Sequence, residues 1–89
     1  MTMSELNSME NRVNGKQETI EDYKKIYSFL TKVGLPVNYL LLLLNKEGFY
    51  DLNSLHQYRN SPPVPRDYLK EGRITGLLTG LISYLKDKL

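Results

Sequence analysis

A run of five leucines, Leu40 to Leu44, constrains the fold of this chain more than any other feature. Leucine favours helix over strand, and no β-branched residue stands within the run, so the sequence predicts a helix from about Pro36 to Lys46. A helix that is apolar on nearly every side needs cover from several directions. We therefore expect a small helical core in which this helix packs between the first and the last helices of the domain.

Two longer segments carry apolar residues at helical spacing on either side of this run. The first predicts a helix from about Ile20 to Val33, with Thr19 as the N-cap and Asp22 as the acid of a capping box. Gly34 is suited to the left-handed residue that ends this helix. The second segment predicts a long C-terminal helix from about Arg73 to Lys88.

A short helix and an irregular link are predicted between these segments. Asp51 can cap a short helix that holds Leu52 and Leu55. Three prolines follow between residues 62 and 65, and each removes a hydrogen-bond donor and restricts the residue before it, which argues against a regular helix there. We expect Val64 and Tyr68 to be buried beneath this link. The predicted fold class is therefore all-α.

The first 18 residues differ in composition from the rest. They are rich in Asn, Ser, Glu and Met, and Leu6 and Val13 are their aliphatic residues. Such a segment buries too little apolar surface to repay the entropy of ordering. The sequence therefore predicts a flexible polar N-terminal arm over residues 1–18 and a helical domain over residues 19–89.

Composition also argues against several classes of function. The chain has no Cys and one His, so it offers no disulfide, no thiolate metal site and no zinc site. It has no phosphate-binding loop, and its net charge of +2 is too small to imply a nucleic-acid partner. Its apolar stretches fall short of the about 20 residues that span a membrane, and its N-terminus lacks a signal-peptide pattern. We expect a non-enzymatic intracellular protein, cytoplasmic or nuclear, without cofactor, metal or membrane contact.

Nine apolar, glycine and basic residues follow one another in a characteristic order: Phe29, Leu30, Val33, Gly34, Leu35, Tyr39, Gly48, Gly72 and Arg73. This order resembles that of the sterile alpha motif (SAM) domain. The resemblance implies a five-helix bundle with a degenerate, Pro-rich fourth helix. It also implies protein–protein interaction of the kind found in signalling and scaffold proteins, with oligomerisation among its forms. Ile74 departs from the basic residue customary at its position.

The resemblance implies two candidate partner-binding surfaces, because SAM domains often associate head to tail. The first is an end-helix surface at the start of the last helix, formed by Lys70, Gly72, Arg73, Thr75 and Gly76. The second is a weaker, acidic middle surface with Glu47 and Asp51, diluted by Lys46 and Arg59. The predicted function is an adaptor that binds another protein, with a second SAM domain as one candidate and weak self-association as another.

Two questions stay open on the sequence alone. Some SAM domains resemble readers of RNA hairpins, and the cations suited to that role are Lys24, Lys25, Lys32, Lys70 and Arg73. Asp67, Glu71 and Ile74 argue against this alternative. The second question concerns the glycines at residues 72, 76 and 80, since an interior helical glycine costs about 1 kcal/mol relative to alanine. Either the first helix of the fold or an outside partner approaches them closely.

Overall fold

The computed structural model describes residues 1–89 and contains five α-helices and no strand. The helices are α1 (Met3–Asn14), α2 (Ile20–Lys32), α3 (Tyr39–Asn45), α4 (Leu52–Asn60) and α5 (Tyr68–Asp87). This architecture confirms the all-α prediction and the long C-terminal helix. No helix forms between α4 and α5, as the three prolines predict.

Helix α1 corrects the prediction of a flexible arm. Leu6, Met9 and Val13 are fully buried, and their spacing places them on one face that packs against α5. The Thr2 hydroxyl caps this helix by accepting the Glu5 N–H at 3.1 Å. The prediction was wrong because it rested on the average polarity of residues 1–18 and not on the positions of their apolar side chains. Met9 completes a stripe with Leu6 and Val13 that an average does not reveal.

Ion pairs join α1 to two of the other helices. Glu5 meets Lys25 of α2 at 3.2 Å, and Glu10 accepts a hydrogen bond from Lys86 of α5 at 3.0 Å. Two nitrogens of Arg12 donate to the two carboxylate oxygens of Asp22, at 2.8 and 2.6 Å. The N-terminal helix is therefore held both by its buried stripe and by charges around it.

The two ends of α2 form as predicted. Thr19 and Asp22 make a capping box, with the Asp22 N–H bonded to the Thr19 hydroxyl at 3.3 Å and the Thr19 N–H bonded to the Asp22 carboxylate at 3.0 Å. Gly34 adopts a φ of 98°, which suits glycine. The Leu35 N–H then reaches the Leu30 carbonyl at 3.0 Å, which completes the hydrogen-bonded turn into α3.

Helix α3 is less covered than the sequence predicts. It packs against α2 through Leu40 and Leu44, which are buried. Leu42 lies on the opposite side, and 47% of its surface is exposed. The first helix of that expectation is α2, against which α3 packs, but α3 contacts the last helix, α5, only weakly, so the expected packing between the two is wrong for α5. This seven-residue helix lies at the edge of the bundle.

The centre of the core is α5, which packs against α1 and α2. Its fully buried residues are Ile74, Leu78, Ile82 and Leu85. They recur at intervals of three and four, so they form one apolar face. The opposite face of α5 contains the glycines and is open to solvent.

A candidate protein-interaction surface at the start of the last helix

Helix α5 begins at Tyr68, five residues before the predicted start at Arg73. The Asp67 carboxylate caps it by accepting the Lys70 N–H at 3.0 Å. Gly72 and Arg73 therefore lie in the second turn rather than at the helix terminus. The positive potential of the helix N-terminus acts on Asp67, so it adds little at Arg73.

Gly72 and Gly76 lie on the outer face of α5 together with Gly80. A Cβ atom built on any of the three meets nothing within 4 Å apart from the neighbouring backbone of α5 itself. No helix of the fold approaches this stripe closely, so the explanation by packing inside the molecule is wrong. The stripe instead presents a shallow, backbone-lined surface to the solvent.

Arg73 connects the two surfaces that the sequence treats as separate. Its Nε and Nη2 atoms donate to the two carboxylate oxygens of Glu47, at 3.0 and 3.1 Å. This two-point contact with the guanidinium lowers the pKa of Glu47. The predicted end-helix and middle surfaces therefore meet at one ion pair and form one continuous surface.

Lys70 lies above two aromatic rings. Its Nζ atom is 5.0 Å from the centre of the Phe49 ring and 5.2 Å from that of Tyr58. The two rings meet edge to face, with centroids 5.1 Å apart. Both ring faces therefore attract the ammonium group. This contact lies where α5 meets the turn before α4.

Two of the predicted site residues have structural roles. Thr75 is half-buried, and its hydroxyl accepts from the Arg59 Nη1 atom at 2.7 Å and donates to the Glu71 carbonyl at 3.1 Å. Thr75 therefore belongs to the interior, which corrects its predicted place on the outer surface. Asp51 caps α4, where its carboxylate accepts the Ser54 N–H at 2.7 Å. That hydrogen bond also lowers the pKa of Asp51.

Large exposed side chains surround the start of α5. Tyr68 is 68% exposed and Leu69 is 80% exposed, while Tyr50 next to Phe49 is 77% exposed. Val64 is 92% exposed, so the expectation that Val64 and Tyr68 are buried beneath the proline link is wrong. The guanidinium of Arg66 lies 5.1 Å from the centre of the Tyr68 ring, on the solvent side of the link.

A buried charge network lies beneath this surface and was missed in the sequence. The Arg59 Nε atom donates to Glu18 at 2.6 Å, and the two side chains are only 2% and 0% exposed. Arg59 also donates to the Val13 carbonyl at 3.1 Å and to Thr75. It therefore connects the end of α1 and the α1–α2 link to α4 and α5.

The network was missed because nothing local marks it. Arg59 and Glu18 lie 41 residues apart, and the resemblance to SAM domains places Arg59 on the middle surface. Burial raises the pKa of the nearby Tyr23 hydroxyl, and the Glu18 carboxylate raises it further. Glu71 is also buried, where Arg66 and Lys16 bind its carboxylate and hold its pKa at about 2.

The cations considered for RNA binding are mostly engaged within the chain. Lys24 meets Glu21 at 3.5 Å, Lys25 meets Glu5 at 3.2 Å and Arg73 is bound to Glu47. Lys70 lies on its aromatic pair, and Lys32 has no ion-pair partner. These cations do not form one free basic face.

No helix of the structure is both long and apolar enough to cross a membrane. No group of three or more His, Asp or Glu side chains is arranged to hold a metal ion. No family model, curated protein or solved structure matches this chain.

Proposed function

We propose that this domain is a non-enzymatic adaptor that binds another protein through the outer face of α5. The contact surface, here called the glycine face, comprises Leu69, Gly72, Arg73 and Gly76, with Glu47 of the turn after α3. The observation that carries the proposal is the open space above the glycines. A SAM-like module with a second such domain as its partner is the form that the sequence resemblance favours.

The glycines are unfavourable for the isolated domain. An alanine in place of Gly72 or Gly76 would meet no neighbour and would favour the helix by roughly 1 kcal/mol each. Nothing inside the molecule requires a missing side chain at these positions. A partner that approaches the helix backbone closely would require it, because a Cβ would then occupy the space of the contact.

The residues beside the glycines suit a protein partner. Leu69 and Tyr68 expose most of their surface next to the stripe, and an exposed Tyr or Leu can fill a pocket on another protein. The Arg73–Glu47 pair adds a polar border that remains accessible, since the Arg73 side chain is 57% exposed. Apolar contacts with a charged rim are typical of reversible protein interfaces.

The test places a single photo-crosslinking residue at position 69 of the full chain, in place of Leu69, to capture a partner protein. A protein that crosslinks there is purified, and its affinity is measured for the unmodified domain and for Gly76→Leu. We expect Gly76→Leu to reduce binding at least tenfold, because a leucine side chain occupies the contact. Its melting temperature should hold or rise, since the added side chain meets open space.

Ser28→Leu is the matched control, because it adds a leucine to an exposed position of α2. It should leave binding unchanged. Equal binding by the unmodified chain, Gly76→Leu and Arg73→Glu, with all three folded, would remove the glycine face from the proposal. Selective, submicromolar binding of an RNA hairpin in near-physiological salt would replace the adaptor function with nucleic-acid recognition.

A further inference from the structure

A second apolar surface lies between α3 and the C-terminal half of α5. Leu35 and Tyr39 form one wall of a groove, and Leu81 and Tyr84 form the other. The groove has a volume of about 200 Å³, and all four of these lining residues are hydrophobic. Leu81 and Tyr84 lie five and eight residues beyond Gly76, so the groove adjoins the C-terminal end of the glycine face on α5.

The apolar surface extends from the groove along α3. Val37 is 61% exposed and Leu42 is 47% exposed, and both belong to the segment that forms one wall. Leu42 follows Tyr39 by three residues, so the two share a helix face. An apolar strip therefore continues from the groove across the outer side of α3.

Three lysines and one aspartate, Asp87, stand close in the chain to the groove residues, so the charge beside the groove is mainly positive. Lys88 lies beside the groove, with its Nζ atom 5.0 Å from the centre of the Tyr84 ring. Lys32 stands three residues before Leu35 at the end of α2, and Lys46 follows Tyr39 by two helical turns on the same face. None of these three lysines has an ion-pair partner.

Most of the other cations of the chain already have an anionic partner. Eight of the other nine Lys and Arg residues of the chain are in ion pairs, and the remaining one, Lys70, lies over its aromatic rings. Three of the four lysines left without an anion therefore stand close in the chain to residues of the apolar groove, and Lys70 is the fourth. A ligand that supplies carboxylates beside an apolar stripe would satisfy both features.

We propose that the groove binds an acidic amphipathic helix of a partner protein. Apolar side chains spaced i, i+3, i+4 and i+7 on that helix lie in the groove and on Leu42. Glutamates or aspartates beside that stripe face Lys32, Lys46 and Lys88. The groove shares no lining residue with the glycine face, so the two sites can be tested separately.

The experiment is an NMR titration of the isotope-labelled full chain with a synthetic helical peptide. The peptide carries leucines at i, i+3, i+4 and i+7 and glutamates beside them. A second peptide keeps the leucines and replaces the glutamates with lysines. We expect the acidic peptide to shift the amide signals around Tyr39, Leu42 and Tyr84, and the basic peptide to bind at least tenfold more weakly.

Variants of the chain test the charge and the apolar stripe separately. Lys88→Glu should weaken binding of the acidic peptide roughly fivefold. The matched control is Lys24→Glu, at an exposed position of α2, and it should leave binding unchanged. Leu42→Ser should weaken binding with little loss of stability, because Leu42 is half exposed. Lys32→Glu serves as the second charge variant if Lys88→Glu lowers the melting temperature.

Several results would overturn the proposal. One is absence of binding or equal affinity for the acidic and basic peptides, and another is a set of shifts confined to residues around Gly76. Cosedimentation with phosphatidylglycerol vesicles in preference to the peptide would assign the groove to a lipid surface. Concentration-dependent shifts of the same groove signals without peptide would assign it to a second copy of the chain. Failure of the glycine-face experiment leaves all of these outcomes unchanged.

Discussion

Two arginine–glutamate pairs of this domain have opposite surroundings. Arg59 meets Glu18 at 2.6 Å with side chains 2% and 0% exposed, whereas Arg73 meets Glu47 at 3.0 Å with side chains 57% and 19% exposed. The buried pair joins segments far apart in the chain, and the exposed pair borders a surface with open space above it. The comparison shows that the chemistry of a pair does not decide its role, and that its surroundings do.

The same contrast divides α5 into two faces. The inner face is covered by α1 and α2 and contains Ile74 and Leu78, which are fully buried. The outer face contains Gly72 and Gly76, where an added Cβ would meet no other segment of the chain within 4 Å. Changes on the inner face should therefore alter folding, and changes on the outer face should alter binding.

The largest effect is expected for Arg59→Ala. It leaves the Glu18 carboxylate buried without its partner, which should cost about 3–5 kcal/mol of unfolding free energy. Urea denaturation measures the loss, and Arg73→Ala is the matched control from the exposed pair, with no measurable change expected. Similar losses for the two variants would break the distinction between buried and exposed pairs.

The leucine run offers the next test. Leu44→Ala should cost about 2–5 kcal/mol, because Leu44 is fully buried and its truncation leaves a cavity. Leu42→Ala, two residues away, should cost less than about 1 kcal/mol, because its side chain is half exposed. Denaturation of the two variants side by side checks this. If Leu42→Ala proved as costly as Leu44→Ala, α3 would be covered on its outer side after all.

Acid should lower the unfolding free energy of the domain, because it protonates the Glu71 carboxylate. Its pKa is about 2 in the folded state, below the ordinary value, so its contribution is fully present above about pH 5 and is lost as the pH falls toward about 2. Glu71→Gln should therefore flatten the dependence of unfolding free energy on pH in this window. Glu47→Gln, from the exposed pair, should flatten it less. An unchanged slope in Glu71→Gln would show that its ion pairs do not form.

The smallest changes in stability are expected at two glycines, one in a helix and one with a positive φ. Gly76→Ala should stabilise the domain by roughly 0.5–1 kcal/mol, because its site is helical and open. Gly34→Ala should destabilise it by about 1 kcal/mol, because Gly34 has a φ of 98°. Thermal denaturation measures both. Loss of stability in Gly76→Ala would indicate a neighbour on the outer face.

Local signals predicted much of this fold. The capping box of Thr19 and Asp22 and the turn at Gly34 depend on residues a few positions apart, so the sequence reveals them. The pairing of Arg59 with Glu18 spans 41 residues and has no local pattern. The docking of α1 falls between these cases, since its stripe of Leu6, Met9 and Val13 is local but its partner helix is at the other end of the chain.

The order of residues along the last helix predicted part of the candidate site. Gly72, Gly76 and Arg73 were singled out from their order along the last helix, and all three are exposed there. Thr75 was assigned to the same surface because its neighbours were, although its side chain points to Arg59. The bond between Arg73 and Glu47 depends on how α3 meets α5, which sequence spacing does not specify.

Cysteine labelling tests the two faces of α5 most directly, since the chain has no native cysteine. We predict that the thiol of Gly76→Cys reacts with Ellman's reagent as fast as it does in the denatured chain. The thiol of Val13→Cys, between α1 and α5, should react only at the rate of unfolding. Fast reaction at residue 13 would show that α1 is not docked, and slow reaction at residue 76 would show that the glycine face is covered. Either result would contradict the division of α5 into a covered and an open face.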